Sequence, residues 1–221
     1  MEVPVLKNIL ETNDKIAAAN ARLFDDNDVT VLNFMSSPGA GKTSLVIKTL
    51  EAVKAAGITL AVIEGDIAST VDADRIAAFG VPAVQINTGG ACHLDANMIK
   101  NALPKIDMAA IDLLIIENVG NLVCPAEFQL GEHKKVMLLS VTEGDDKPLK
   151  YPLMFSEADA LVVNKMDLLA NTNFNMDGFK ETIRSMNPDV EMFLVSCTSG
   201  EGLNSWGEWM VKQVRGVGKG K

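Results

Sequence analysis

A chain of 221 residues with 48% hydrophobic and 22% charged residues has the material for one sizeable core, which excludes a disordered polypeptide. Its net charge of −9 argues against a nucleic-acid or anionic-membrane surface, both of which select for excess Lys and Arg. The opening Met1-Glu2-Val3-Pro4 lacks the pattern of a secretory signal, no apolar run approaches the roughly 20 residues of a membrane span, and an odd count of three Cys reads as reduced thiols in the cytoplasm.

Leu6, Ile9, Leu10, Ile16, Leu23 and Phe24 recur at roughly helical spacing, with Pro4 suited to the first turn. Residues 1–28 therefore read as an N-terminal helix closed by an acidic turn at Asp25-Asp26-Asn27-Asp28. Seven short apolar runs follow: Val31–Met35, Leu60–Ile63, Ala83–Ile86, Leu113–Ile116, Val136–Val141, Leu161–Val163 and Met192–Val195. Helical stretches lie between and after them at Thr43–Ala56, Asp72–Phe79, Leu94–Leu103, Gly178–Met186 and Leu203–Val214. Near-continuous rather than alternating apolar strands predict a sheet covered on both faces. The βαβα alternation predicts an α/β fold, a mostly parallel, doubly wound sheet with its sites at the carboxyl ends of the strands. One domain over 29–215 and a Gly/Lys-rich flexible tail at 216–221 complete the organisation.

Ser36-Ser37-Pro38-Gly39-Ala40-Gly41-Lys42-Thr43-Ser44 stands between the first strand and an amphipathic helix, the setting of a P-loop NTPase. Its glycines let successive N–H groups turn toward phosphate, and the helix N-terminus adds partial positive charge. Lys42 would neutralise the β- and γ-phosphates and the Thr43 hydroxyl would serve Mg²⁺. Ser36 occupies the place of the usual first Gly, so an ordinary backbone angle is expected there.

Asn164-Lys165-Met166-Asp167 follows the sixth strand and matches an Asn-Lys-x-Asp guanine-reading loop. A desolvated Asp167 carboxylate accepts from the donor pair of guanine, and adenine offers no such pair. Ser196-Cys197-Thr198 resembles the further loop that supports the base through its backbone. Glu117, opening Glu117-Asn118-Val119-Gly120, resembles the Asp-x-x-Gly switch with Glu in place of Asp, and Asp66 ends a strand within Glu64-Gly65-Asp66. Each acid is a candidate for Mg²⁺ or the attacking water, with helix capping as the alternative. Lys42 and Asp66 are the candidate catalytic residues. No glutamine stands where small GTPases orient water, so slow intrinsic hydrolysis is expected.

Cys92-His93 and Cys124 sit beside these loops. Thiolate and imidazole suit Ni²⁺ or Zn²⁺, and a two-fold dimer would supply the ligands that one chain lacks. The other reading stays open: two small buried apolar residues and a helix-capping His. Cys197 belongs to the base-side loop.

Taken together, the P-loop, Glu64-Gly65-Asp66, Gly90-Ala91-Cys92-His93-Leu94-Asp95-Ala96, the Glu117–Pro125 segment, the Leu139–Pro152 segment and Asn164–Asp167 resemble the HypB family of hydrogenase-maturation GTPases, from about Val29 onward. The Cys-His and Val-Cys-Pro segments are the specific ones, because a generic GTPase has neither. The resemblance implies a homodimer favoured by GTP over GDP and related to the signal-recognition and dimerising-ATPase (SIMIBI) branch of P-loop proteins. It implies a nickel or zinc site on Cys92, His93 and Cys124, and as partners a HypA-type zinc accessory protein and the [NiFe]-hydrogenase large subunit. Residues 1–28 hold neither the Cys-rich motif nor the polyhistidine of some members, which points to delivery through the switch-linked site rather than storage. Alternatives are a related metallochaperone GTPase for urease or a cobalamin enzyme, and a GTP-sensing scaffold without metal transfer.

Overall fold

The computed structural model describes residues 8–67 and 75–217. Pro4, Leu6, part of the helix expected at 72–79 and the last four residues of the expected tail lie outside the described residues. Seven strands form one sheet: β1 (Thr30–Ser36), β2 (Leu60–Asp66), β3 (Ala83–Asn87), β4 (Leu113–Glu117), β5 (Lys134–Ser140), β6 (Ala160–Asn164) and β7 (Glu191–Leu194). All neighbours pair in parallel, in the order β3-β2-β4-β1-β5-β6-β7. Each expected apolar run became a strand. β5 stops one residue early, because the Ser140 side chain turns back to cap a 3₁₀ turn over Val141–Glu143.

Among the described residues the α-helices of four residues or more are α1 (Asn8–Asp26), α2 (Lys42–Ala55), α3 (Ala96–Ala102), α4 (Cys124–Glu127), α5 (Lys147–Lys150), α6 (Pro152–Ser156), α7 (Met176–Met186) and α8 (Leu203–Val217), and residues 75–77 are helical as well. On β1, Leu32 and Phe34 face a core completed by α2 and α8, where Trp206 is buried against Phe34 and Phe193. The opposite face divides into two clusters. Val31 packs with Phe24 of α1 and Ile99 of α3, and Met35 with Phe155 of α6 and Phe179 of α7. Burial on both faces explains why the strand sequences do not alternate apolar with polar. Asn33 is the polar interruption between the two clusters, fully buried, with its amide donating to Glu132 and its oxygen accepting from Asn118. A buried amide must be bonded on both arms, and here that requirement ties the sheet centre to the loop after β4.

α1 runs two residues into the expected acidic turn and packs on α3 as part of the body. α8 continues through Val217, past the expected boundary at 215. The strand order reverses at β1, which has β4 on one side and β5 on the other. The crevice at such a reversal, outside the carboxyl ends of the strands, is where open α/β sheets bind ligands.

Candidate nucleotide cleft and metal cluster

The loop from Ser37 to Gly41 leaves the carboxyl end of β1 and enters α2. Gly39 at φ 78° and Gly41 at φ 101° hold left-handed backbone that an L side chain rarely adopts. A Cβ on Gly41 would lie 2.5 Å from Asn164 Nδ2, so glycine is needed there for space as well as conformation. Ser36 ends β1 in ordinary extended backbone, as its side chain requires. α2 begins without a side-chain cap, leaving its first amides turned to the cleft. Lys42, almost buried, donates to Ser36 Oγ at 3.0 Å, and Thr43 Oγ1 donates to Glu117 Oε1 at 2.9 Å. The cleft of about 410 Å³ is lined by Pro38, Gly39, Gly41, Lys42, Thr43, Ser44, Asp66 and Glu117, among others. Ala40 lies beneath it, fully buried.

Two further carboxylates, not among the site candidates read from the sequence, stand here: Glu64 lines the cleft and Glu143 bonds to its phosphate loop. Glu64 is buried and stands in register with Glu117 across the β2–β4 pair, two acids side by side next to a phosphate loop. The legible signal was a charged residue extending the apolar run Leu60–Ile63. Glu143 reaches the phosphate loop by accepting from Ser37 Oγ, while its other oxygen accepts from Ser140 N at 2.9 Å. The spacing Ser140-x-x-Glu143 is a capping box and could have been read as one.

The base-side loop is built onto the phosphate loop. Asn164 Nδ2 donates to Ala40 O at 3.0 Å and Lys165 Nζ to Gly39 O at 2.7 Å. Lys165 itself sits at φ 61°, an angle costly for a side chain and held here by those contacts. Asp167 Oδ1 accepts from Ser196 Oγ at 2.5 Å, and Cys197 N donates to Asn164 Oδ1 at 3.3 Å. Asn164, Lys165, Asp167, Ser196 and Cys197 thus converge beside the cleft. Burial pushes the Cys197 thiol up to about 11, against the opposing pull of Lys48 and of its hydrogen bond with Asn164.

Cys92, His93 and Cys124 come together although 32 residues separate the two thiols, and their ligand atoms all lie within 4.8 Å of one another. The sulfurs are 3.0 Å apart and Cys92 Sγ is 3.8 Å from His93 Nδ1. Cys92 is exposed and Cys124 half-buried, and the residue that caps α3 is Asp95. The His93 ring lies against Phe128, centroids 3.9 Å apart, and burial lowers its pKa against the pull of Asp95 and Glu127. A neutral imidazole keeps a lone pair for a metal. The Cys124 thiol is raised, first by its hydrogen bond with Cys92 and then by burial, so a metal would have to displace its proton.

A direct link joins cluster and cleft. Asn118, next to Glu117, is buried, and its Oδ1 accepts from Leu94 N at 3.0 Å and Val119 N at 2.9 Å. Asn121 Nδ2 donates to Cys92 O at 3.2 Å. Leu94 in turn packs where any side chain on Gly65 would collide with it, one residue before Asp66. Both acid-bearing strand ends therefore touch the segment that follows His93.

The model of the family "CobW/HypB/UreG, nucleotide-binding domain" matches residues 30–194. The hydrogenase maturation factor HypB of Azotobacter vinelandii is 53% identical over 207 residues, 94% of this chain and 68% of the relative. That of Escherichia coli K12 is 49% identical over 93% of this chain and 71% of its own length. The crystal structure of HypB from Helicobacter pylori in complex with nickel superposes with a TM-score of 0.88 at 40% identity, covering 93% of this chain and 96% of that one.

Proposed function

The chain belongs to the CobW/HypB/UreG nucleotide-binding family, among its HypB hydrogenase maturation factors, and from that membership we propose that it is a GTP-hydrolysing metallochaperone supporting nickel insertion into [NiFe]-hydrogenase. Lys42 and the α2 amides bind the β- and γ-phosphates, and Asp167 reads guanine with Asn164, Lys165, Ser196 and Cys197 shaping the base pocket. Thr43, Asp66 and Glu117 offer the hard oxygens that Mg²⁺ prefers, and Glu64 adds a further carboxylate in register with Glu117. When bound, Mg²⁺ would supply charge neutralisation for the phosphates; Asp66 orients the attacking water.

Nickel is the cargo, carried by Cys92, His93 and Cys124, a donor set that also accepts Zn²⁺. Three ligands leave a tetrahedral or square-planar shell incomplete. A second copy of the chain completes it in a dimer that GTP favours, and a HypA-type accessory protein and the hydrogenase large subunit are the onward partners. Among the described residues no helix is long and apolar enough to cross a membrane, and three free thiols suit a reducing, cytoplasmic setting.

The observation that carries this reading is Asn118, one side chain that holds both the Glu117 loop and the backbone after His93. Loss of the γ-phosphate releases the Glu117 loop, so the cluster geometry changes with nucleotide state. By linkage, nickel then alters GTP affinity by the same factor that GTP alters nickel affinity. Nickel titration of the reduced, metal-free protein, bound to GDP and to a non-hydrolysable GTP analogue, tests this. Equal affinities would remove the coupling, and no binding in either state would leave a guanine-nucleotide sensor without cargo.

A further inference from the structure

α1 carries two buried asparagines, Asn13 and Asn20, seven residues and so about two turns apart on one helix face. Burying a helix face against a domain needs only apolar residues. These two side chains instead form four hydrogen bonds, all to backbone. Asn13 Oδ1 accepts from Ala96 N at 2.8 Å, and its Nδ2 donates to Gln129 O at 2.8 Å. Asn20 Nδ2 donates to Ala96 O at 2.9 Å and to Leu130 O at 3.0 Å. Both polar groups of Ala96 are thereby held from α1, and so are two successive carbonyls of the segment after α4.

The positions of these anchors matter. Ala96 is the third residue after His93. Gln129 follows Phe128, whose ring supports His93, and stands five residues after Cys124. Each asparagine joins one segment from the Cys92-His93 side of the cluster to one from the Cys124 side. Gly131 lets the second segment lie this close, since a Cβ there would meet Ala17 O at 2.7 Å, Ala21 N at 2.8 Å and Asn20 Cβ at 2.9 Å.

We infer that α1 is a strap that sets the spacing of the metal ligands, with Asn13 and Asn20 as positioning residues for the Cys92-His93-Cys124 cluster. The inference rests on the metal-site reading above. Residues that orient ligands from outside the coordination shell typically change metal affinity by roughly 10–100-fold when removed. Asn13 and Asn20 lie outside the nucleotide cleft, so their removal should leave nucleotide affinity alone.

The test is Ni²⁺ titration of the reduced, GDP-bound full chain against a competing chelator, with the thiolate-to-nickel charge-transfer absorption recorded alongside. Asn13→Ala and Asn20→Ala should each weaken Ni²⁺ binding by about tenfold and alter that absorption, while GDP affinity stays within about twofold of wild type. Asn13→Gln, which keeps a donor and an acceptor, should recover part of the loss. Wild-type affinity and absorption in both alanine variants, with Cys124→Ala weakened, would overturn the strap and spare the metal site. Equal binding by wild type and Cys124→Ala would overturn both. Should the alanine variants fail to fold, amide exchange on the wild type decides: Ni²⁺ must slow exchange across residues 13–21 and 94–100, and unchanged rates there refute the inference.

Discussion

Replacing Asn118 by Ala removes one carboxamide and leaves three groups without their partner. Two of them, Leu94 N–H and Asn33 Oδ1, belong to fully buried residues on either side of the lost side chain. The third, Val119 N–H, borders the open cleft and can turn to water. A buried polar group stripped of its partner costs about 1–3 kcal/mol. Two such groups, with some relaxation of the loop, place the loss near 2–5 kcal/mol. A domain of this size has roughly 5–15 kcal/mol to lose, so the variant should fold and be measurable. Urea unfolding followed by tryptophan fluorescence gives the stability change. Nickel titration in the two nucleotide states gives the coupling factor, which should fall toward one, since the segment after His93 no longer hangs from the Glu117 loop. Asn118→Asp keeps the acceptor for Leu94 and Val119 but sets a buried carboxylate beside Glu117 and an oxygen against Asn33 Oδ1, so it should lose at least as much stability as Asn118→Ala. A stability loss under about 1 kcal/mol in Asn118→Ala, together with an unchanged coupling factor, would refute the reasoning.

Four other outcomes are expected. Asp167→Asn should lower GTP affinity by about a hundredfold and raise affinity for xanthosine triphosphate, because an amide donor suits the xanthine carbonyl; competition binding with both nucleotides reads this, and an unchanged GTP preference counts against the base loop. Gly41→Ala puts a side chain at φ 101° and into Asn164 Nδ2, so GDP binding should weaken at least about tenfold with the circular dichroism unchanged. Cys197, with its thiol near 11, is held neutral by the fold. That contribution is complete below the unfolded value of 9.0 and disappears as pH rises toward 11; at pH 8 alkylation read by mass spectrometry should reach Cys92 well before Cys197. Trp206→Phe breaks the 2.8 Å bond from Nε1 to Thr49 on α2 and should cost about 1–3 kcal/mol in thermal or urea unfolding, with a loss under about 0.5 kcal/mol showing that the bond contributes little.

Much of this molecule can be read without coordinates. The seven strands are legible because a sheet buried on both faces imposes a local signature, a mostly apolar run of three to six residues that does not alternate with polar ones. The phosphate loop is contiguous in the chain, so its glycines, Lys42 and Thr43 declare themselves together. Asn164 to Asp167 gains its meaning from the strand before it. Short helices are different. α4, α5 and α6 have four or five residues each, too few to establish a 3.6-residue period, and they form where prolines at their first turns and the surrounding body favour them.

What one dimension cannot contain is which distant residues meet. Glu64 faces Glu117 only because β2 and β4 are neighbours in that register, and Glu143 reaches Ser37 only because β5 lies beside β1. Cys92 and Cys124 could have been two unrelated buried thiols; the fold brings their sulfurs to 3.0 Å by placing the loop after β3 against the loop after β4. The purpose of α1 was the least visible, since Asn13 and Asn20 interrupt an otherwise ordinary amphipathic helix and their partners lie 76 to 116 residues away. Element type follows from local periodicity and backbone preference, and these residues carried it in order along the chain. Strand order, register and the bonding of buried amides are set by the packing of the whole domain, and they decided how its two sites are built and joined.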